Sequence, residues 1–263
     1  MTSTDTLRVE LQDGLAIVSL AQPARGNPFD GAFGRDFKQV ASDLLNCTDL
    51  RAVLLRAEGA NFSFGGDLKA FYPARDRLAP LVREWTADLH MGLQRFWRLP
   101  VPVVTAVQGY AMGGGVALLA GCDVVLAGAS ARIGSAFAQL GFSCDSGSTV
   151  TLTYRMGVAR ARRFVLLAEV LGSEDALRAG LVDQIVADDK LQDEALALAR
   201  KLAAGPTLAY GETKRLFMRA GAAQLEAQLE DEALTLARVS ASQDAQEGIA
   251  AQVERRKPAF RGR

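Results

Sequence analysis

Histidine and cysteine are scarce in this sequence. One histidine, His90, and three cysteines, Cys47, Cys122 and Cys144, occur among its 263 residues. A single histidine excludes metal sites built on several histidines and leaves room for only one histidine-dependent triad. The cysteines lack the Cys-x-x-Cys spacing of a zinc ribbon and do not form a disulfide framework. We therefore expect no metal ion and a reduced, cytoplasmic chain.

Net charge is also absent, since 30 Lys and Arg residues balance 30 Asp and Glu residues. Electrostatic binding to nucleic acid needs a basic face, so we expect no nucleic-acid partner. Residues 99–122 are uncharged over a length that raises the question of a membrane span. This run contains Pro100, Pro102 and three consecutive glycines from Gly113, which break a continuous helix. A buried strand, a glycine turn and a short buried helix are predicted there instead, and no membrane span.

Short apolar runs alternate with amphipathic stretches up to about residue 190, which predicts an α/β architecture. Strands are predicted at 15–20, 52–57, 103–107, 123–127 and 181–186, and helices near 31–46, 77–98, 113–121, 146–156 and 159–170. Beyond them only helices are predicted, at 189–204, 207–220, 222–240 and 243–256. We expect a core over 1–190 and a helical region over 191–263 that packs on a neighbour, within the chain or in an oligomer.

Two glycine-rich turns follow predicted strands, one over Asn61–Leu68 and one over Gln108–Gly115. Each turn by itself is compatible with a simple connection between a strand and a helix. Neither turn has the spacing of a phosphate-binding P-loop or of a dinucleotide-binding loop. Glycines also let a ligand approach backbone N–H groups, and two such groups aimed at one point would form an oxyanion hole.

Taken together, the two turns resemble those of the crotonase (enoyl-CoA hydratase/isomerase) superfamily. The matching segments are Phe62–Leu68, Pro102–Gly115, Cys122–Val125, Ala179–Val186 and Glu247–Phe260. This resemblance covers essentially the whole chain. It implies a crotonase-like ββα spiral core with a C-terminal all-helical oligomerisation region, an acyl-CoA substrate, and no cofactor beyond the CoA moiety of that substrate. It also implies a homotrimer or a dimer of trimers, with the backbone N–H groups of Gly66 and Gly114 as oxyanion donors.

Two residues that the chemistry of hydration requires are missing. Hydratases of the superfamily carry two catalytic glutamates, and the matching positions here are Ala117 and Phe137. Addition of water needs groups that position and deprotonate the water and protonate the α-carbon. Neither alanine nor phenylalanine can do so, which puts hydratase activity in doubt.

A carboxylate occurs slightly later in the chain, in Cys144-Asp145-Ser146-Gly147. This segment resembles the Pro-Asp-Ser-Gly segment of a subgroup of superfamily isomerases, in which the aspartate shuttles a proton. Allylic isomerisation needs a single base, and burial is expected to raise the basicity of Asp145. Asp145 is equally suited to cap the helix that follows, and both roles are compatible.

The resemblance also suggests residues that contact the substrate or its CoA moiety. These positions are Arg25, Phe64, Asp67, Lys69, Ala117, Phe137 and Arg255. For the three basic residues, a solvated side chain is an equally good interpretation. His90 is interpreted as a core or surface histidine, and Cys144 as an inert buried thiol. The Asp-Ser-Gly sequence also suggests a triad of Ser146, His90 and an aspartate, which the α/β pattern disfavours.

The leading hypothesis is an enoyl-CoA isomerase that moves a double bond by proton transfer, with Asp145 as base. Its substrate would be a 3-enoyl-CoA or a ring-derived CoA ester of aromatic degradation. The alternatives are an enoyl-CoA hydratase (lyase), a hydrolase, and a catalytically reduced homologue that only binds CoA.

Overall fold

Strands and helices alternate through most of the chain, in a computed structural model that describes residues 3–221 and 225–260. The strands are β1 (Leu7–Gln12), β2 (Leu15–Leu20), β3 (Pro28–Phe29), β4 (Ala52–Ala57), β5 (Gly65–Gly66), β6 (Val103–Val107), β7 (Tyr110–Met112), β8 (Val124–Gly128), β9 (Arg132–Gly134), β10 (Val170–Gly172) and β11 (Gln184–Val186). The helices are α1 (Gly31–Leu45), α2 (Leu68–Phe71), α3 (Leu78–Trp97), α4 (Gly114–Ala120), α5 (Ser148–Met156), α6 (Val158–Leu166), α7 (Ser173–Arg178), α8 (Leu191–Ala203), α9 (Thr207–Gly221), α10 (Leu225–Ser240) and α11 (Gln243–Val253). This order confirms the predicted α/β architecture.

The main sheet has six strands in the order β1-β2-β4-β6-β8-β11. An antiparallel hairpin joins β1 and β2, and the remaining neighbours are parallel. The hairpin turns at Asp13 and Gly14, which have φ values of 51° and 79°. Two such positive values are those of the tight turn that follows the natural twist of a hairpin. Two small sheets, β10-β9-β7 and β3-β5, lie beyond the main one.

Both faces of the main sheet are buried, which explains why its parallel strands are nearly continuous apolar runs. Side chains alternate along each strand, so Val53 and Leu55 face one apolar cluster and Leu54 faces another. The first cluster contains α1 and the end of α3, while α8 covers the second with Ala195 and Ala199. The sheet is therefore a rigid base whose strand ends carry the connecting turns.

The predicted strand over 181–186 is too long at its start. Leu181 and Val182 are buried, but they lie in the turn before β11. The backbone N–H of Asp183 donates to the Val125 carbonyl at 2.9 Å, and its carboxylate accepts the Val125 N–H at 2.7 Å. An apolar run indicates burial and does not by itself show strand structure. Here the buried apolar run includes the turn, so the predicted strand begins too early. The prediction also omits β1 and the short strands β3, β5, β7, β9 and β10.

The C-terminal helices close one side of the molecule over its central turns. Helix α10 packs along α3, and α11 packs on α2 and on the turn at 137–140. Leu236 and Ile249 from these helices form a cluster with Phe71, Leu78 and Val82. The predicted helix over 222–240 begins outside the described residues, which resume at the start of α10. Within the described ranges, no helix has both the length and the apolar character of a membrane span.

Two neighbouring leucines at the end of α1 offer a test of this packing. The Leu44 side chain is 1% exposed in the first apolar cluster, whereas Leu45 is 41% exposed. Leu44→Ala leaves a cavity and is expected to lower the free energy of unfolding by about 2–5 kcal/mol. Leu45→Ala, the matched control, is expected to cost less than about 1 kcal/mol. Urea denaturation measures both, and equal losses would contradict the described core.

Candidate active site

The first glycine turn is held in place by a buried asparagine. The side-chain amide of Asn27 donates to the carbonyl oxygens of Glu58, Asn61 and Phe62, each at 3.1 Å. The Asn27 carbonyl in turn accepts the hydroxyl of Ser63 at 2.7 Å. Asn27 thus provides hydrogen-bond donors for three backbone carbonyl groups of the loop that connects β4 to β5. Sequence reasoning missed this residue, since a Gly-Asn-Pro tripeptide signals only a turn.

The two glycine turns are hydrogen-bonded to each other through their backbones. The N–H of Ser63, in the first turn, donates to the Tyr110 carbonyl at 3.1 Å. The N–H of Met112, in the second turn, donates to the Ser63 carbonyl at 2.9 Å. The turns follow β4 and β6, which are adjacent parallel strands, so their carboxyl ends meet at one edge of the sheet.

Gly65 marks the point of closest approach between the turns. Its φ of +77° is one that glycine adopts without strain. A Cβ atom at this position would lie 2.7 Å from the Met112 carbonyl oxygen and 3.1 Å from the Gly114 nitrogen. Gly66 follows in β5, and Gly114 is the first residue of α4, where a backbone N–H has no carbonyl one turn earlier to bond. The structure therefore brings both predicted oxyanion residues to the wall of one cavity.

This cavity has a volume of about 400 Å³ and lies between the glycine turns, α3 and the C-terminal helices. Aromatic and aliphatic side chains form most of its wall. The aromatic members are Phe29, Phe64, Phe71, Trp85, Phe137 and Phe142. Phe71 stacks on Trp85 with 5.2 Å between ring centroids and meets Phe142 edge to face at 6.1 Å. Gly113, Gly114, Asp145 and Ser146 contribute polar groups on the wall that faces α4 and α5.

Asp145 enters this wall from the turn that precedes α5. Its side chain is almost fully buried and bonds to the only histidine of the sequence: Asp145 Oδ1 lies 2.7 Å from His90 Nε2. The other carboxylate oxygen accepts the hydroxyl of Ser146 at 3.2 Å. His90 belongs to α3 and is itself buried. The interpretation of His90 as a core or surface histidine was therefore incomplete, because the residue is buried in a pair with the candidate base.

The Asp145–His90 contact determines the charge of the candidate base. Burial alone would raise the pKa of Asp145, but the charge and hydrogen bond of His90 and the hydrogen bonds of Ser146 outweigh it and lower that pKa. Burial alone would lower the pKa of His90, but Asp145, with help from Glu232 and Glu230, raises it. Burial acts on Asp145 in the expected direction, but the net effect is a lowered pKa and a weaker base. Both shifts favour the ionised form of the pair, a carboxylate beside an imidazolium.

A glutamate from α10 caps helix α5. Glu232 is buried, and its carboxylate accepts the N–H of Gly147 at 2.5 Å and that of Thr149 at 3.0 Å. The side chain of Asp145 makes no such bond, and only its carbonyl accepts the N–H of Ser148, at 3.1 Å. The capping role suggested for Asp145 therefore belongs to Glu232. Sequence reasoning missed Glu232 because 83 residues separate it from Thr149.

The geometry also excludes the suggested serine triad. In such a triad, the imidazole stands between the serine and the aspartate and takes the serine proton. Here Ser146 donates directly to Asp145, and the carboxylate stands between Ser146 and His90. Cys144, beside the pair, is no better nucleophile, because burial raises the pKa of its thiol to about 11.

An arginine and two aspartates occupy one end of the cavity. The Arg25 guanidinium lies 2.7 Å from the Asp30 carboxylate and 2.5 Å from that of Asp67. Asp67 also caps α2 by accepting the N–H groups of Lys69 and Ala70 at 3.0 and 3.2 Å. Arg25, Asp67 and Lys69, three of the residues predicted to contact the substrate, all line the cavity. Phe64 lines it as well and is half exposed, stacked on Tyr110.

The remaining predicted residues divide between the cavity and other places. Phe137 lines the cavity, but Ala117 is fully buried within α4 and does not. Arg255 is exposed after the end of α11, and the structure does not bring it to the cavity wall, although Gln252 reaches it. Of the carboxylates in the described wall, Asp30 and Asp67 bind Arg25, which leaves Asp145 without an arginine partner.

The whole chain is similar to proteins that act on acyl-CoA esters. A family model described as enoyl-CoA hydratase/isomerase matches residues 10–263. A probable enoyl-CoA hydratase of Rhodobacter capsulatus is 34% identical over 261 residues, which cover 99% of this chain and 100% of the relative. The 1,2-epoxyphenylacetyl-CoA isomerase of Escherichia coli is 33% identical over 261 residues, which cover 96% of this chain and 97% of the relative.

Solved structures agree with this similarity. An enoyl-CoA hydratase from Mycobacterium avium subsp. paratuberculosis superposes with a TM-score of 0.88 at 28% identity, over 97% of this chain and 98% of the other. The family match spans nearly the full sequence, and the fold match spans the described core and the C-terminal helices. The chain therefore belongs to the enoyl-CoA hydratase/isomerase family of the crotonase superfamily and has its α/β fold.

Proposed function

We propose that this family member is an enoyl-CoA isomerase that moves a double bond along the acyl chain of a CoA thioester. The observation that carries the proposal is the composition of the cavity wall. Asp145 is its one described carboxylate without an arginine partner, and the wall has Phe137 at one position where hydratases have a glutamate. At the other, Ala117 is buried. A single carboxylate suffices for proton transfer between two carbons but not for the addition of water.

The reaction begins when the thioester oxygen accepts the N–H groups of Gly66 and Gly114. Asp145 then takes a proton from the carbon between the carbonyl group and the double bond, and the electron pair left there delocalises over the double bond and the thioester oxygen. The two donors stabilise the negative charge on that oxygen, and α4 adds the positive end of its dipole at Gly114. Asp145 returns the proton two carbons further along. The double bond moves by one position, and no atom is gained or lost.

The apolar wall indicates what kind of acyl group enters. Phe71, Trp85 and Phe142 present ring faces and edges to the cavity, and Leu68 and Leu140 add aliphatic surface. Aromatic walls pack well against flat, unsaturated or cyclic groups. A long 3-enoyl chain and a ring-derived acyl group both satisfy this surface. The 1,2-epoxyphenylacetyl-CoA isomerase relative is consistent with the ring-derived class.

The CoA moiety is the only cofactor-like group that the proposal requires. Lys69 lies beside the first glycine turn in the cavity wall and is proposed to meet a CoA phosphate. Arg25 is held by Asp30 and Asp67, so its charge is already compensated. We propose that its contact with CoA is through stacking or hydrogen bonding more than through net charge. Arg255 would need another route to the phosphates, since it lies outside the cavity wall.

Replacing the base tests the mechanism directly. Asp145→Asn keeps the size of the side chain but removes the base, and should slow isomerisation of a 3-enoyl-CoA by about 10²- to 10⁴-fold. Asp175→Asn is the matched control, because Asp175 lies on the surface with a side chain that is 62% exposed. Isomerisation is followed through the absorbance of the conjugated 2-enoyl product. Unchanged activity in Asp145→Asn would refute the mechanism, and brisk hydration of a 2-enoyl-CoA by the natural chain would favour a hydratase.

A glycine pair tests the oxyanion hole. Gly65→Ala drives a Cβ atom against Met112 and Gly114 and should separate the two donors, which lowers kcat by about 10²- to 10³-fold. Gly157→Ala is the control, since Gly157 has a similar φ of +72° but a methyl group added there would meet no described atom within 4 Å. Its φ of 72° and ψ of 152° are nearly restricted to glycine, so the variant should lose about 1–3 kcal/mol of stability, but it should keep its kcat. Equal kcat values for the two variants would show that contact between the turns does not matter for catalysis.

An apolar surface supports the proposed trimer or dimer of trimers. Exposed apolar side chains gather on α5, α6 and the turn to β10: Tyr154, Val158, Leu166, Leu167 and Val170. Several large apolar side chains exposed on successive elements are typical of a contact between subunits. Light scattering should give a mass of three or six times the 28.0 kDa chain. Leu166→Asp should shift the protein towards smaller species, and a 28.0 kDa particle for the natural chain would contradict the proposal.

A further inference from the structure

The buried pair of Asp145 and His90 has a feature that proton transfer by a lone carboxylate does not require. The proposed reaction needs a carboxylate in the cavity wall. Here that carboxylate is also bonded to an imidazole, with 2.7 Å between Asp145 Oδ1 and His90 Nε2. Asp145 lines the cavity and His90 does not. His90 therefore reaches the acyl group only through Asp145. Such an arrangement is suited to orienting and charging the base and not to exchanging protons with the substrate.

The two carboxylate oxygens of Asp145 have different hydrogen-bond partners. Oδ1 of Asp145 is bonded to His90, and Oδ2 accepts the hydroxyl of Ser146 at 3.2 Å. Ser146 lines the cavity, so Oδ2 is bonded to a residue of the cavity wall, whereas Oδ1 is bonded to His90, which is not part of that wall. The short bond to His90 restricts rotation of the carboxylate about its own axis. Oδ2 is thus presented in one orientation.

The charges around the pair favour the ionised form. Glu232 and Glu230 on α10 act on His90 in the same direction as Asp145, and each favours a positive imidazole. Cys144 adds no competing negative charge at neutral pH, because its thiol stays protonated, with a pKa raised to about 11 by burial. The hydrogen bonds from Ser146 favour the negative form of Asp145. Glu232 repels the Asp145 carboxylate, and burial together with this repulsion raises the pKa of Glu232. The charge and hydrogen bond of His90 and the hydrogen bonds of Ser146 still lower the pKa of Asp145.

We infer that His90 is a positioning residue for the proposed reaction: as an imidazolium it keeps Asp145 ionised and holds Oδ2 towards the acyl group. His90 has this role only if Asp145 is the base, so the inference rests on the proposed function. Its consequence is a wider working range at acid pH. A buried carboxylate without the imidazolium would be protonated, and inactive as a base, at a pH at which the paired carboxylate still works.

The sequence allows a direct measurement of this pair. Since His90 is the only histidine, a ¹⁵N-labelled protein without a purification tag gives one set of imidazole signals. NMR titration of the natural chain should show His90 protonated at neutral pH. In Asp145→Asn the pairing charge is gone, burial dominates, and the midpoint of the titration should fall to lower pH. The inference is overturned if His90 titrates at the same pH in both proteins.

Kinetics of His90→Gln test the consequence for the base. Gln offers an N–H donor without the charge, so the acid limb of the kcat/KM profile should move to higher pH. At the acid end, the variant should lose about tenfold or more of its own plateau rate under conditions in which the natural chain loses little. A uniform loss at every pH, with the limb unmoved, is the result expected of a purely structural residue and would overturn the inference.

Met91→Gln provides the matched control on the same helix. Met91 adjoins His90 but is 42% exposed, and the variant should keep the natural pH profile. If His90→Gln fails to fold, the NMR comparison with Asp145→Asn still decides. A titration that shows the pair in a protein without isomerase activity would refute the proposed function and leave the pair standing. Isomerase activity together with a His90 titration that is the same in Asp145→Asn would support the proposed function and refute the positioning role of His90.

Discussion

The site depends on a backbone contact between two turns that come from different parts of the chain. Ser63 shares hydrogen bonds with Tyr110 and Met112, and Gly65 lies so close to Gly114 that no side chain fits between them. Adjacent parallel strands bring the turns to one edge of the sheet. The side-chain amide of Asn27 holds the first turn by donating to three of its backbone carbonyl groups. The N–H groups of Gly66 and Gly114, the proposed oxyanion donors, therefore have positions that depend on the fold itself. No charged side chain has to be buried for that purpose.

The rest of the cavity wall holds its charges in compensated groups, of which the Asp145–His90 pair is buried and the Arg25 side chain is 45% exposed. Asp145 faces His90, and Arg25 lies between Asp30 and Asp67. An isolated buried ion costs several kcal/mol, and breaking such a pair leaves that cost uncompensated. The C-terminal helices contribute here as well, since Glu232 of α10 caps α5 next to Asp145. The helical region is thus part of the site's construction and not only of an outer surface.

Sequence reasoning located what local patterns encode. Continuous apolar runs marked β2, β4, β6 and β8 because a doubly buried parallel strand has no polar face, and the glycine turns marked two segments that line the cavity. Strands of two or three residues, such as β5 and β9, are too short to show alternation. His90 and Glu232 were misjudged or missed for another reason: their partners lie 55 and 83 or more residues away, and no spacing rule connects them. Ala117 occupies its family position in α4, but the helix buries it away from the cavity.

The pairing of Asp145 with His90 also constrains how the oxyanion hole must work. A carboxylate whose pKa is lowered is ionised over a wider pH range, but it is a weaker base towards a carbon acid. Proton removal by such a base proceeds only if the enolate is stabilised strongly on its oxygen. In the proposed reaction that stabilisation comes from the N–H groups of Gly66 in β5 and of Gly114 at the start of α4. In the proposed reaction the buried ion pair and the rigid contact between the turns are therefore complementary: the ion pair keeps the base ionised, and the contact between the turns positions the donors that make a weak base sufficient.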